Sequence, residues 1–341
     1  MANWMQGYTA EWTVREVDPD TWADRGAVAS VREVSVSRDC TDDVPLIETG
    51  SMTLDSRAPF ETAWCRVYMV AEQGGKESVA IATLLFDRAS SRFDHGTWST
   101  AMRGRSVLQP AADRKMPMSA FVAAGADGAR EAGRLLSECT PAPVLVEGGF
   151  TLVDNIVFDI GGSYLQAVWK LLDAAGWCMQ IDGDGTIHIV PMPSEPSLEL
   201  SKANAGLLIP GIDDDYNLLD IPNRYYAVDD GIIARATNED PSSPTSKQAR
   251  GRWIDVTDES PTPVDGETLE LYAQRKLAEL STVTHSYSYN REWWPNVTCY
   301  SVVRATMEDN GIVGDLRVQK QDLVCGMGVV VSETAGMEVR L

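Results

Sequence analysis

Residues 163–190 read SYLQAVWKLLDAAGWCMQIDGDGTIHIV, and the rest of the chain divides around them. Ser163 and Gln166 have capping-box spacing, and Tyr164, Leu165, Val168, Trp169, Leu171 and Leu172 form one apolar face at helical period. Gly176 stands where a helix C-terminus favours a left-handed residue. The spacing therefore predicts a helix over Ser163–Ala175. Trp177–Ile181 and Thr186–Val190 flank Asp182-Gly183-Asp184-Gly185, which predicts a hairpin closed by an Asp-Gly turn. Upstream, Ala126–Ser137 predicts a second amphipathic helix, ended by Pro141 and Pro143. Downstream, Pro191, Pro193 and Pro196 mark an exit. Residues 106–197 thus read as a small α/β module.

On both sides of that module the period changes to two. Tyr8, Ala10, Trp12 and Val14 alternate with polar residues, as do Val34 and Val36, then Met52 and Leu54. Trp64–Val70, Val79–Asp87 and Thr97–Arg103 complete about six strands, separated by Asp18-Pro19-Asp20, Asp42-Asp43 and Gly74-Gly75. Residues 1–105 therefore read as a β sandwich or barrel. After the module, Arg224–Val228 and Ile232–Thr237 predict a hairpin around Asp229-Asp230-Gly231, and residues 238–250 (NEDPSSPTSKQAR) an exposed loop or flexible excursion. Gly266–Leu280 predicts a long helix with Leu269, Tyr272, Ala273, Lys276, Leu277 and Leu280 on one face. His285–Asn290, Val297–Thr306, Asp315–Leu323 and Gly328–Leu341 predict the closing strands, so residues 198–341 form a second β region carrying the helix at 266–280. The expected fold class is mainly β with an α/β insertion.

Chemistry is sparse in this pattern. The three histidines, His95, His188 and His285, form no HxH or HExxH group, which argues against a zinc hydrolase. Six separated cysteines without a CxxC pair read as reduced core thiols, not as a disulfide frame or zinc site. The Asp182–Gly185 run lacks a carboxylate at the twelfth loop position of an EF-hand, where Pro193 stands. No catalytic residue, cofactor site or metal site is assigned, and the chain is expected not to be an enzyme. No run of apolar residues is long enough to span a membrane, and Met1–Ala10 lacks the features of a secretory signal. The formal net charge of −21 suits simple solubility, the commoner reading, or a surface that repels phosphate backbones and lets nucleic acid pass without sticking; composition alone does not choose between them.

Most tryptophans, among them Trp12, Trp64, Trp169 and Trp177, stand in apolar contexts and are expected in cores. The adjacent pair Trp293-Trp294 must show one ring to each face of a strand or fill a loop. With Tyr287 it is the candidate interface anchor. The same three aromatics offer a different function, a carbohydrate-binding tail or surface protein. A third class, a cell-wall hydrolase with a dispersed Cys–His or carboxylate site, has no sequence motif behind it.

From Arg103 to Met192 the order runs Gly104-Arg105-Ser106-Val107-Leu108, a short helix, and an apolar strand before Gly161-Gly162-Ser163-Tyr164-Leu165. Leu171–Trp177 and the Asp-Gly hairpin ending at Pro191-Met192-Pro193 follow. Later come Asp215-Tyr216-Asn217 and Ile221-Pro222-Asn223-Arg224, while Ser35–Asp39 and Gly50–Asp55 supply the opening strand phrases. This succession resembles the hub proteins of phage tails and related contractile injection systems, over nearly the whole chain. The resemblance implies two tail-tube-like β-barrel domains flanking the α/β domain, three subunits per ring, and six barrels around a channel. Such a homotrimer joins a sixfold tail tube or distal tail protein to a threefold tip, spike or fibre protein. DNA passes through its lumen without specific binding. It also implies residence in the virion tail after assembly in the host cytoplasm. The chain stops at Leu341 in what reads as a last strand, so cell-wall cleavage is expected of another protein.

Overall fold

Alternating apolar residues can be buried only where strands share a sheet, and the computed structural model shows how these strands are joined. It describes residues 9–340 apart from 73–74, 117, 119, 202–207, 216–220, 230, 260, 262–267 and 327. The expectations placed on Tyr8, Gly74, Tyr216, Asn217, Asp230 and Gly266 lie outside the described residues.

Seven strands come first: β1 (Thr9–Val17), β2 (Asp24–Ala27), β3 (Val31–Asp39), β4 (Ile47–Leu54), β5 (Thr62–Glu72), β6 (Lys76–Asp94) and β7 (Thr97–Arg105). The α/β module follows with α1 (Gln109–Asp113), β8 (Ala120–Val122), α2 (Gly128–Ser137), β9 (Val144–Val146), β10 (Ile156–Phe158), α3 (Tyr164–Asp173), β11 (Trp177–Ile181) and β12 (Ile187–Pro191). Next come β13 (Pro196–Ser201), β14 (Leu208–Asp215), β15 (Arg224–Asp229), β16 (Ile232–Thr237), α4 (Lys247–Arg250) and β17 (Asp255–Asp258). The chain closes with α5 (Leu269–Leu280), β18 (Thr282–Glu292), β19 (Val302–Met307), β20 (Ile312–Gly326) and β21 (Gly328–Arg340). The chain is mainly β with an α/β insertion, as the periodicity predicts.

Two compact units emerge, residues 1–212 with 289–335, and residues 213–288 with 336–341. Among the described residues one sheet runs in the order β14-β18-β21-β20-β3-β4-β7-β6-β5-β1-β2, with β19 pairing β20 and β13. Strands from before and after the module therefore share a sheet, joined where β20 pairs antiparallel with β3 from Lys320↔Asp39 to Cys325↔Val34. The N-terminal half of β20 instead pairs with β19, from Ile312↔Met307 to Arg317↔Val302. Between the two halves the buried positions change parity, from Leu316 and Val318 to Gln321, Leu323 and Cys325. In β3 the buried residues are Val34, Val36 and Arg38, each two apart on one face. Gly50 and Gly104 face each other across β4 and β7. A Cβ built on Gly50 would lie 2.6 Å from Leu84 Cδ1, and one on Gly104 3.0 Å from both Leu84 and Phe86, so the missing side chains leave room for those two residues.

In the module, Ser163 caps α3 through a complete capping box with Gln166, and Gly176 takes the left-handed conformation, φ 66°. Leu165, Val168, Leu171 and Leu172 are buried with Leu136 of α2 and with Met179 and Ile189 of the β11–β12 hairpin. Trp64, Trp169 and Trp177 lie in this core, as expected, and it extends to Val17 and Ile47 of the sheet. In the second unit, Tyr272, Ala273 and Leu277 of α5 pack on Tyr225, Ala227 and Ala234 of the β15–β16 hairpin.

Several local readings needed correction. Residues 238–250 are mostly exposed, as expected, but they are held by a small buried cluster and are not a free excursion. Ser243, Thr245 and Ser246 are buried, Asn238 donates to the Ser243 and Thr245 hydroxyls at 2.8 and 3.1 Å, and Ser246 caps α4. The hydrophilic sequence reflects internal hydrogen bonding there. β19 begins at Val302, because residues 297–301 turn instead of continuing the strand. The short elements β2, β8, β9 and β17 carry too few residues to show a period.

The 182–185 turn seats the module on the sheet. A Cβ built on Gly183 would lie 2.0 Å from the Ala80 carbonyl oxygen, so no side chain fits without backbone movement. Gly183→Ala should cost roughly 1–3 kcal/mol in urea denaturation, by forcing the turn away from β6. Gly26→Ala, with nothing within 4 Å of the added methyl, should change stability by less than about 0.5 kcal/mol.

Candidate functional site

Three features of the larger unit stand out: the seat of the 182–185 turn, a buried polar ladder, and a projecting hairpin. At the seat, the Thr83 hydroxyl donates to the Gly183 carbonyl at 3.0 Å and accepts from Arg66 Nε at 3.0 Å. Arg66 and Trp22 Nε1 both donate to the Asp184 carbonyl, at 3.0 and 2.8 Å, and Arg66 binds Asp24 at 2.7 Å. The Asp-Gly run is thus a hairpin turn whose carbonyls are gripped by sheet side chains.

Beside this turn opens a cleft of about 210 Å³, lined by Ala80, Ile181, Asp182, His188, Trp293 and Trp294. His188 bridges two carboxylates, Nδ1 to Glu147 at 2.7 Å and Nε2 to Asp182 at 3.3 Å. Burial alone would lower the His188 pKa, but hydrogen bonds to Glu147 and Asp182 outweigh it and raise the pKa above 6.5. Among the described residues no group of three or more His, Cys, Asp or Glu side chains could hold a metal ion. No described helix is long and apolar enough to cross a membrane.

Beneath the cleft runs the ladder. On β18, Tyr289 and Arg291 donate to Glu333 of β21, the hydroxyl at 2.6 Å and the guanidinium at 2.6 and 3.1 Å. Gln321 of β20 donates to the same carboxylate at 2.6 Å and accepts from Arg38 of β3 at 3.1 Å. Arg38 in turn donates to Glu48 of β4 at 2.7 Å and to the Ile81 carbonyl at 2.6 Å. Gln321 and Arg38 are register partners, as are Arg38 and Glu48, so the chain of bonds crosses five neighbouring strands. Burial pushes Glu333 up, but Arg291 and the converging donors more than offset it and hold the carboxyl below its usual range. At the other end burial dominates, so the Glu48 carboxyl is raised despite Arg38.

The sequence-predicted aromatics fall differently. Trp293 is 5% exposed and packs in the sheet core, Trp294 is half-buried and lines the cleft, and Tyr287 is 4% exposed, its ring stacked on His285 at 4.4 Å. Trp293 and Tyr287 belong to different units, so they form no common patch within either one. The sequence reading did not single out the β6–β7 hairpin, which among the described residues has no further strand beside it beyond the β5 and β4 pairings at Asp87 and Thr100. Its tip carries Phe93 and Trp98, 58% and 38% exposed, with rings 5.1 Å apart. His95 and Gly96 turn it at positive φ, 46° and 86°, as a primed turn requires. In the module, Phe121 and Val157 are cross-strand partners and both exposed. The His-Gly turn between aromatic residues was the available sequence signal.

No protein-family model matches the chain, and no curated protein matches it in sequence. Solved structures match its fold throughout. A tail protein from Neisseria meningitidis agrees with a TM-score of 0.63 at 15% identity, covering 97% of each chain. The tail protein of prophage MuSo2 from Shewanella oneidensis agrees with 0.65 at 12% identity, covering 97% of this chain and 98% of its own. A prophage tail protein from Listeria monocytogenes agrees with 0.51 at 12% identity, covering 96% and 94%. The chain has the fold of phage tail proteins.

Two predictions follow from the buried charges. Glu333→Ala leaves Arg291 buried without its carboxylate and should cost about 3–5 kcal/mol in urea unfolding, whereas Arg291→Met with Glu333→Leu should recover most of it. His188 should contribute stability that is fully present below its unfolded pKa of about 6.5 and lost as pH rises through its higher folded value. The stability gap between the protein and His188→Gln should therefore be widest at acidic pH and shrink above neutrality, as read by denaturation at a series of pH values.

Proposed function

We propose that the chain is a structural, non-enzymatic hub of a phage tail tip or baseplate. Three copies close a ring that joins a sixfold tail tube to a threefold tip and lines the DNA exit channel. The observation that carries this reading is the agreement of fold with two tail proteins over 97% of this chain and nearly all of theirs. In this reading the β regions before and after the module, which share a sheet where β20 pairs with β3, form two tube-like barrels per subunit, and six barrels in a trimer match the symmetry of a tube. The net charge of −21 supports passage of DNA without adhesion. The Phe93–Trp98 hairpin tip, the Phe121–Val157 ribbon and Trp294 are the side chains offered for contacts between subunits or with tube and tip proteins. Sugar binding through Trp293, Trp294 and Tyr287 has less behind it, because two of the three rings are buried.

Light scattering with negative-stain imaging of the same peak tests the reading. The expected result is a mass near three times 37.3 kDa with an annular projection. Phe93→Ala with Trp98→Ala should reduce the assembled fraction while leaving the circular dichroism unchanged. A monomer that forms no ring even with tube and tip proteins present would overturn the proposal.

A further inference from the structure

Cys40 immediately follows β3, and Cys299 lies in the loop between β18 and β19, on opposite sides of β20. Both thiols reach the same backbone atom. Cys40 Sγ and Cys299 Sγ each lie 3.4 Å from the Gln319 carbonyl oxygen, which also accepts from the Cys40 N–H at 3.0 Å. On the other flank, Tyr300 N–H donates to the Val318 carbonyl at 2.9 Å. Val318 and Gln319 are the point where β20 leaves β19 and joins β3. The two sulfurs therefore meet over the handover of one strand between two partners.

We propose that Cys40 and Cys299 form a covalent modification site, a dithiol that closes to a disulfide on meeting a small-molecule disulfide such as oxidised glutathione. The Cys40 thiolate attacks one sulfur of the reagent, whose S–S bond breaks and releases a thiolate. Cys299 sulfur then attacks Cys40 sulfur in the mixed disulfide and expels the second thiolate, and the two thiol protons pass to the departing groups. The protein loses two electrons and two protons, and the reagent is reduced to two thiols.

The environments of the two thiols set that order. Cys40 is half-buried, and hydrogen-bond contact with Cys299 is the largest influence holding its pKa below that of an ordinary thiol. Cys299 is buried, and the same contact followed by burial pushes its thiol well up. Cys40 is the more exposed of the two, so a reagent from solution meets it first and Cys299 is the resolving thiol. The neighbouring thiol Cys178 is fully buried and pushed up to about 12, chiefly by that burial. The closed bond would tie the end of β3 to the loop that carries Val297 and Thr298 into the cleft wall and Tyr300 against Trp169. It would fix the point where β20 passes from β19 to β3 and close a very long loop of chain. This role does not depend on the proposed hub assembly.

The test uses the full chain, reduced, then exposed to oxidised glutathione at neutral pH and mapped by non-reducing peptide mass spectrometry. The expected product has lost two hydrogens and contains a peptide linking Cys40 to Cys299. Its melting temperature should rise by about 5 °C and fall back with reductant. Cys40→Ser and Cys299→Ser should each abolish the rise, and the wild-type peptide map decides the matter if either variant folds poorly. Six thiols still free, a link from Cys40 to Cys178, or a lasting glutathione adduct on Cys40 without the Cys299 link would each overturn the proposal. A closed bond without a thermal shift would overturn its stapling role. Ring formation by the reduced protein is read separately, so failure of the hub reading leaves this result distinct.

Discussion

Arg291, Glu333, Gln321, Arg38 and Glu48 form one line of hydrogen bonds across β18, β21, β20, β3 and β4, and the larger sheet depends on it. Removing two arginines and two glutamates from water costs several kcal/mol per ion, so the ladder adds little net stability over a well-packed apolar core. What it adds is register. A slip of one residue in β3 would turn Arg38 to the opposite face and bring Ser37 or Asp39 inward, leaving Glu48 and Gln321 without their partner. Strands separated in sequence by the whole α/β module are thereby held to a single pairing. Glu48 Oε2 is the one orphaned buried side-chain oxygen among the described residues, which makes the β4 end the weaker terminus of the line.

The α/β module is coupled to this sheet by backbone as much as by side chains. Carbonyls of Gly183 and Asp184 accept from Thr83, Arg66 and Trp22, so the turn must come close, and only a residue without Cβ permits the approach at position 183. The module core runs into Val17, Ile47 and Trp64, so module and sheet share buried surface and should unfold together. The β6–β7 hairpin has the opposite character: residues 88–98 are exposed throughout, and at its aromatic tip Arg57 lies over the Trp98 ring, 5.9 Å from its centroid.

Local chemistry made α3 and the following hairpin legible, because the capping box, the apolar face, Gly176 and the Asp-Gly turn all lie within 28 residues. The ladder was not legible, since its members come from five strands and each looks like an ordinary surface residue alone. Parity held part of the answer: Arg38 shares the buried phase of Val34 and Val36, and Arg291 that of Tyr289 and Trp293. Adjacent Trp293 and Trp294 do point to different environments, as strand alternation requires, but sequence could not say that the core takes the first. Residues 238–250 misled for a related reason. Serine and threonine that bond one another and Asn238 are as polar in sequence as those that face water.

Charge gives the last step. The excess of acids over bases leaves few cations to spare, and many of those present are already held. Arg224 clasps Asp255, Arg304 clasps Asp315, Arg25 binds Glu16 and Asp18, and Lys320 binds Asp39. Exposed pairs of this kind contribute little to stability. Their consequence is electrostatic, because an arginine that faces its own carboxylate cannot neutralise a phosphate without breaking that pair. Counterion release, the main driving force for nonspecific binding to DNA, is weakened at those residues. The formal net charge of −21 comes from 50 acids set against 29 bases, and pairing of the kind seen at Arg224, Arg304, Arg25 and Lys320 leaves still less positive charge open to a polyanion.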